Sequence, residues 1–251
     1  MTDTSGTSPR VVGIMPARNS AKTLEDTFRG IPPGSLHQVI LSDNASKDDT
    51  VAIAERLGIT VIRNPVDRGY GGNVKNCLRA ALDAGADLIV ELHPDNQYDP
   101  AFIPGLVAKA READYAMVIG SRFLPPRRAL EGGMPMWKFV CNRALTLMNA
   151  TLLGLRLSEF HSGFRIYSAK WVRTLPLDRM SDDFKLGFEM ISHAAEAGLP
   201  VGEAPGFCRY FDEASQNRLR GSIRYGLDTL AESFRVFRSR MAVSAARRRV
   251  L

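Results

Sequence analysis

The stretch RVVGIMPARNS, residues 10–20, sets a short apolar run of strand composition against a polar end, Pro16-Ala17-Arg18-Asn19. The same juxtaposition recurs downstream. Residues 38–42 lead into Asp43-Asn44-Ala45-Ser46-Lys47-Asp48-Asp49-Thr50, residues 60–63 into segment 64–72, and residues 87–92 into His93-Pro94-Asp95-Asn96-Gln97. Helical patterns at 22–29, 48–57, 72–84 and 100–113 separate the runs, and a fifth run follows at 115–119. This alternation predicts βαβ units, an α/β fold whose parallel sheet carries helices on both faces. Ligands bind such sheets beyond the carboxyl ends of the strands. The polar residues collect at those ends, so one polar crevice is expected there.

The second half is less regular. Trp137, Cys141, Leu145, Met148 and Leu152 recur at helical spacing, Ser162-Gly163-Phe164-Arg165 interrupts, and residues 184–197 resume it. Ile223, Leu227, Leu230, Phe234, Phe237 and Met241 then step by four and three, an apolar stripe on a long final helix.

Length and composition narrow the classes. A chain of 251 residues, 45% hydrophobic, suits one large domain. Its longest apolar runs fall far short of the roughly 18 residues that cross a bilayer. The polar, small residues 1–9 read as a loose tail rather than a secretory signal, so a cytoplasmic location is expected. Cys77, Cys141 and Cys208 lack paired spacing and read as small buried hydrophobes. The net charge of +6 is local: residues 218–251 carry nine Arg against Asp228 and Glu232, leaving the rest of the chain at −1. A basic tail on a near-neutral domain, with no recognised binding module, excludes a nucleic-acid partner.

Residues 91–100, Glu91-Leu92-His93-Pro94-Asp95-Asn96-Gln97-Tyr98-Asp99-Pro100, carry the most chemistry. An acidic cluster at a strand end is how a divalent cation is held against a diphosphate, and Asp95 leads as its ligand. Asp43 is placed to accept hydrogen bonds from a base or ribose, or to form an Asx turn or helix cap. The glycine cluster Arg68-Gly69-Tyr70-Gly71-Gly72-Asn73 is either a tight turn into a helix or a nucleotide contact.

From residue 11 to residue 222 the chain resembles family 2 glycosyltransferases, in the dolichol-phosphate mannosyltransferase-like and polyprenyl-phosphate branch. The resemblance is carried by the ordered set His93, Asp95, Gln97 and Pro100, then Gly120-Ser121-Arg122, then Ser162-Gly163-Phe164-Arg165. It implies a GT-A fold, a Rossmann-like doubly wound mixed sheet, over residues 10–217, followed by a basic amphipathic helix and tail over 218–251. It implies a UDP- or GDP-sugar donor lined by Pro16, Arg18, Asn19, Asp43, Arg68, Gly69 and Gly71. Mg²⁺ or Mn²⁺ would be held by Asp95 and Gln97, with Arg122 and Arg165 facing the donor phosphates or the acceptor. One departure stands out: His93 occupies the place of the family's first metal Asp. Its imidazole either ligates the metal or is hydrogen-bonded by its surroundings.

The acceptor sets the remaining chemistry. A hydroxyl needs a general base, and Asp182 or Asp183 stands where one could sit, or caps the helix that follows. A lipid phosphate is its own nucleophile at neutral pH and needs cations, which Arg209 and Arg218, with Ser215 between them, would supply. The final helix, with Arg220, Arg224, Arg235, Arg238 and Arg240 beside its stripe, either lies on an anionic membrane surface or packs on the domain or a second subunit. The leading expectation is inverting, metal-dependent transfer to a polyprenyl phosphate. The alternatives are transfer to a soluble hydroxyl and a non-catalytic nucleotide-sugar binding protein.

Overall fold

The computed structural model describes residues 8–210 and 219–248. The chain runs β1 (Val11–Ala17), α1 (Leu24–Arg29), β2 (Gln38–Asn44), α2 (Thr50–Arg56), β3 (Thr60–Asn64), α3 (Gly69–Asp83), β4 (Leu88–Glu91), α4 (Ile103–Arg111) and β5 (Met117–Ser121). It continues through α5 (Arg128–Glu131), α6 (Met136–Leu153), β6 (Arg165–Ser168), α7 (Ala169–Val172), α8 (Leu186–Glu196), β7 (Val201–Pro205) and α9 (Leu219–Arg248). The expected strands and helices of the first half are all present.

One seven-stranded sheet has the order β3-β2-β1-β4-β6-β5-β7. β6 pairs antiparallel with both β4 and β5, and the other neighbours pair in parallel. Side chains alternate across a strand. On β1, Val12 and Ile14 therefore enter one core with Cys77, Leu78 and Tyr167, while Val11 and Met15 enter the other with Leu24, Leu41 and Phe164. Burial on both faces explains why β1 reads as a continuous apolar run.

Three non-glycine residues have positive φ: Asn19 at 52°, Ala45 at 56° and Asn96 at 57°. All lie just beyond β1, β2 or β4, where sharp exits turn the chain around the crevice. Such backbone is sparsely populated and concentrates at functional sites.

α9 packs along α6 and α8, with Val236 fully buried and Thr229 and Ser233 beside it. The seam is close: Gly226 lies against Leu145, Ser233 Oγ donates to Asn149 Oδ1 at 2.9 Å, and Arg240 Nη1 donates to the Leu153 carbonyl. The contacts ascend together, 145, 149, 153 on α6 against 226, 233, 240 on α9, so the two helices run in the same direction across the seam. The buried face is not the apolar stripe read from the sequence. Ile223, Leu227, Phe234, Phe237 and Met241 are exposed, Leu227 by 63%. α6 likewise exposes Met136, Trp137, Val140, Leu147 and Met148, Leu147 by 69%. At 100° per residue, Cys141 and Met148 flank Leu145 on one side of the seam, and Leu230 and Phe237 flank Gly226 and Ser233 on that same side. The two apolar strips therefore adjoin. Cys77 and Cys208 are buried as expected, but Cys141 is exposed because it belongs to this outward face.

Among the described residues no helix is long and apolar enough to cross a membrane.

Candidate active site

The loops beyond β1, β2 and β3 are tied to one another by side chains. Asn19 N–H donates to Ser46 Oγ at 2.8 Å, and Asn19 Oδ1 accepts from Lys47 N–H at 2.8 Å. Asn44 bridges to the next loop, donating to Asp67 Oδ1 at 2.7 Å and accepting from Arg68 N–H at 2.8 Å. Arg18 pairs with Asp67, and the exposed Arg18 and Arg68 stand on the rim, with the half-buried Pro16 in the last residues of β1 below them. Below them Asn64, Asn73 and Ser42 form a buried amide network, with Asn73 donating to the Ser42 carbonyl at 2.8 Å. Asn44, Asn64, Asp67 and Asn73 carry no motif signature, since their role follows from partners brought together by the sheet.

Asp43 is 5% exposed. Its Oδ2 accepts from Ser46 N–H at 3.2 Å, the Asx-turn geometry, while its Oδ1 is enclosed and has no hydrogen-bond partner among the described residues. An enclosed carboxylate oxygen without a donor is costly in a folded chain. A ligand N–H or O–H would satisfy it without disturbing the turn.

The glycine cluster answers to a different neighbour. A Cβ at Gly71 would meet Ser181 O at 2.6 Å and Asp183 O at 2.7 Å, and one at Gly69, where φ is +71°, would meet Asp182 O. Gly71 N–H donates to Asp182 O at 2.8 Å. Gly69 and Gly71 thus admit the 181–183 backbone onto the start of α3 and, in this arrangement, do not present their N–H groups to a nucleotide. Lys75, buried on α3, completes the clasp at 2.6 Å from Asp182 Oδ1 and 3.0 Å from Met180 O. Asp183 Oδ1 accepts from Ser181 Oγ at 2.9 Å and Lys185 N–H at 3.0 Å, just ahead of α8. Helix α8 therefore begins at Leu186, and Phe184 instead stacks on Tyr70 at 4.7 Å.

At the end of β4, Glu91 is buried and accepts from Tyr70 OH at 2.6 Å and from Tyr167 OH. His93 Nε2 lies 2.8 Å from Tyr70 OH and 3.4 Å from Glu91 Oε1, and its ring meets Tyr70 and Tyr98 edge-on. Burial opposes ionisation of Glu91, yet His93, Arg165 and Tyr167 outweigh it and lower the pKa. Burial likewise opposes the His93 charge, and the Glu91 hydrogen bond and carboxylate overcome it, raising the pKa.

His93 and Asp95 differ in their surroundings. Among the described residues no three His, Cys, Asp or Glu side chains form a metal cage. Mg²⁺ and Mn²⁺ bound to a diphosphate need only one or two carboxylates, which Asp95 fits, with Gln97 beside it. His93 fits less well, because its Nε2 already faces Tyr70 OH and Glu91 Oε1.

Both motif arginines are turned inward. Arg122 pairs with the fully buried Glu159 and donates to Tyr210 OH. Arg165 Nε donates to Ser162 O at 2.7 Å, and its guanidinium fills the space a Cβ at Gly187 would take. They hold the site's walls and do not project at a ligand in this conformation. The β5–β6 pairing sets the two motifs together, Gly120 N–H donating to Phe164 O at 2.8 Å. Sequence reading missed Glu159, which lies three residues before Ser162. Arg209 pairs with Asp99 at 2.9 Å and lies over the Phe207 ring. Ser215 and Arg218 lie outside the described residues.

The glycosyl transferase family 2 model matches residues 14–175. An undecaprenyl-phosphate mannosyltransferase of Micrococcus luteus is 30% identical over 78% of this chain and 82% of its own. A UDP-N-acetylglucosamine–dolichyl-phosphate N-acetylglucosaminyltransferase of Methanococcus voltae is 24% identical over 76% of this chain and 82% of its own. Among solved structures, Mycobacterium tuberculosis glucosyl-3-phosphoglycerate synthase with Mn²⁺ and UDP-glucose superimposes with a TM-score of 0.67 at 18% identity, covering 91% of this chain and 79% of that one. With a family model over well more than half its length and a 30% identical relative, the chain belongs to glycosyl transferase family 2: it is a glycosyltransferase with the GT-A fold.

Proposed function

We propose that the chain moves a sugar from a UDP- or GDP-sugar to a polyprenyl phosphate, with inversion and with Mg²⁺ or Mn²⁺. The observation that carries the donor half is the partnerless Asp43 Oδ1 at the strand ends, ready to accept from the nucleoside. The acceptor half draws support from the relatives that act on undecaprenyl and dolichyl phosphate.

Asp95, with Gln97, would hold the metal, which when bound neutralises charge on the diphosphate. Arg18 and Arg68 on the rim add positive potential over the same loops, while Asn19 fixes the β1 exit. An acceptor phosphate oxygen attacks the anomeric carbon as the bond to the nucleoside diphosphate breaks. The phosphate is largely dianionic at neutral pH, so no protein base is required. Arg209, half exposed and steadied by Asp99, is the described cation for that phosphate, and Ser215 and Arg218 are assigned to it from the sequence alone.

The test is nucleotide release by purified protein with each common UDP- and GDP-hexose, Mg²⁺ or Mn²⁺, and undecaprenyl phosphate. No release from any donor, with or without lipid, would sink the reading. A soluble hydroxyl acceptor is the second reading, because the Asp182 carboxylate is 70% exposed beside the glycine cluster. Loss of turnover in Asp182→Ala or Asp183→Ala with Arg209→Ala intact would favour it.

A further inference from the structure

The exposed strips of α6 and α9 form one apolar face, and surfaces of this kind on a soluble protein mark a contact with a partner or membrane. We propose that this face docks on an anionic lipid bilayer and presents the crevice to it. Trp137, Val140 and Leu147 on α6 and Leu227, Phe234 and Met241 on α9 would enter the headgroup boundary.

Charge selects this occupant. α6 carries no acid, and its Lys138 and Arg143 lie inward over the Tyr210 and Phe123 rings. On α9, Arg224 and Arg238 are exposed on the flank beyond Leu227 and Phe234. Its two acids lie toward α8: Glu232 pairs with Arg235, which also reaches Glu196, and Asp228 lines the cleft with Lys185 while standing 3.8 Å from Arg224. An apolar strip edged with arginines matches an anionic membrane surface. A second copy on this face would bring two acid-free, arginine-edged surfaces together, which like charge opposes.

The helix that carries the face also reaches the site. Tyr225, on the side of α9 opposite Phe234, places its OH 3.3 Å from His161 Nδ1, and His161 precedes the Ser162-Gly163-Phe164-Arg165 segment. Docking α9 thus holds that segment about 10 Å, one helix diameter, from the membrane from which a lipid-linked acceptor must come. The inference extends the polyprenyl-phosphate reading, and its test keeps the two apart.

The chain has two tryptophans, Trp137 at 49% exposure and the buried Trp171, so Trp137 fluorescence reports on the face. With equimolar phosphatidylcholine–phosphatidylglycerol vesicles, the wild type should sediment and its emission should shift to the blue, and Trp137→Phe should abolish the shift. The double variant Leu147→Glu/Phe234→Glu, both exposed positions, should bind roughly tenfold or more weakly with unchanged circular dichroism. Equal binding by that variant, or no binding by the wild type, overturns the proposal. So does a wild-type dimer that the double variant splits and vesicles do not recruit. Vesicle binding without transfer to undecaprenyl phosphate would leave this inference standing and remove the acceptor reading. Transfer to a detergent-dispersed short-chain polyprenyl phosphate without vesicle binding would do the reverse.

Discussion

Gly163 lies so close to His93 that a Cβ at position 163 would come within 2.5 Å of His93 Cε1. The ring cannot step aside easily, because Glu91, Tyr70 and Tyr98 hold it from other directions. Gly163→Ala is therefore expected to cost about 1–3 kcal/mol, the range for overpacking a fixed core. In a His93→Ala background the same substitution should cost far less. A thermal-denaturation cycle of the four proteins checks this coupling, and additive losses would refute the contact as its cause.

The different surroundings of His93 and Asp95 give a second outcome. Asp95→Ala should weaken Mn²⁺ binding to the UDP-loaded protein by about tenfold or more, whereas His93→Gln, which retains a donor for Glu91, should stay within about threefold. Titration of Mn²⁺ followed by thermal shift separates them. Equal losses would make His93 a ligand after all.

Asp43→Asn keeps an oxygen for Ser46 N–H and removes the negative charge from the partnerless position. Nucleotide affinity should fall by about 10- to 100-fold, the worth of a charged hydrogen bond, with stability within about 1 kcal/mol of wild type. Isothermal titration with UDP and GDP measures the first and denaturation the second. Unchanged affinity for both would remove Asp43 from the site.

The sequence made the crevice legible because β1, β2 and β4 are buried on both faces and β1 to β4 each end in polar residues, a pattern written locally. β6 was not legible: four residues, RIYS, acquire strand form by pairing with β4 and β5 on either side, a non-local matter. The same holds for Gly69 and Gly71, whose small size answers to the Asp182 backbone more than a hundred positions away. Periodicity found the apolar stripe of α9 but not its direction, since Thr229, Ser233 and Val236 fit the narrow seam with α6 and α8 better than Phe234 would. The motif arginines were visible as motifs, and their orientation depended on Glu159 and Ser162.

Arg122 and Glu159 yield a test of that orientation. Their buried pair means that either residue alone leaves an uncompensated charge, so Arg122→Met and Glu159→Gln should each destabilise by about 3–5 kcal/mol. Arg122→Met/Glu159→Leu should recover much of the loss. If the double variant also regains nucleotide binding, Arg122 acts as a wall of the site. If it regains stability but not UDP affinity, Arg122 reaches the donor in another conformation.

His161 sets an acid limit on stability. Burial, then the charges of Arg122 and Arg165, push its pKa down from 6.5 to about 3, and its Nε2 is enclosed without a partner. Between those values the unfolded chain holds a proton that the folded chain lacks, so stability falls as pH drops below about 6.5. From pH 7 to pH 5 the loss from this group is about 2 kcal/mol. His93 acts in the opposite sense: its raised pKa gives stability that is full below its unfolded value and fades as pH rises through the folded one. The two are separable with His161→Phe, which keeps an aromatic ring against Phe188 and removes the titration. Urea denaturation of wild type and variant across this range should show their difference shifting by about 2 kcal/mol in the variant's favour toward pH 5. A pH-independent difference would mean that His161 already carries its proton in the folded state.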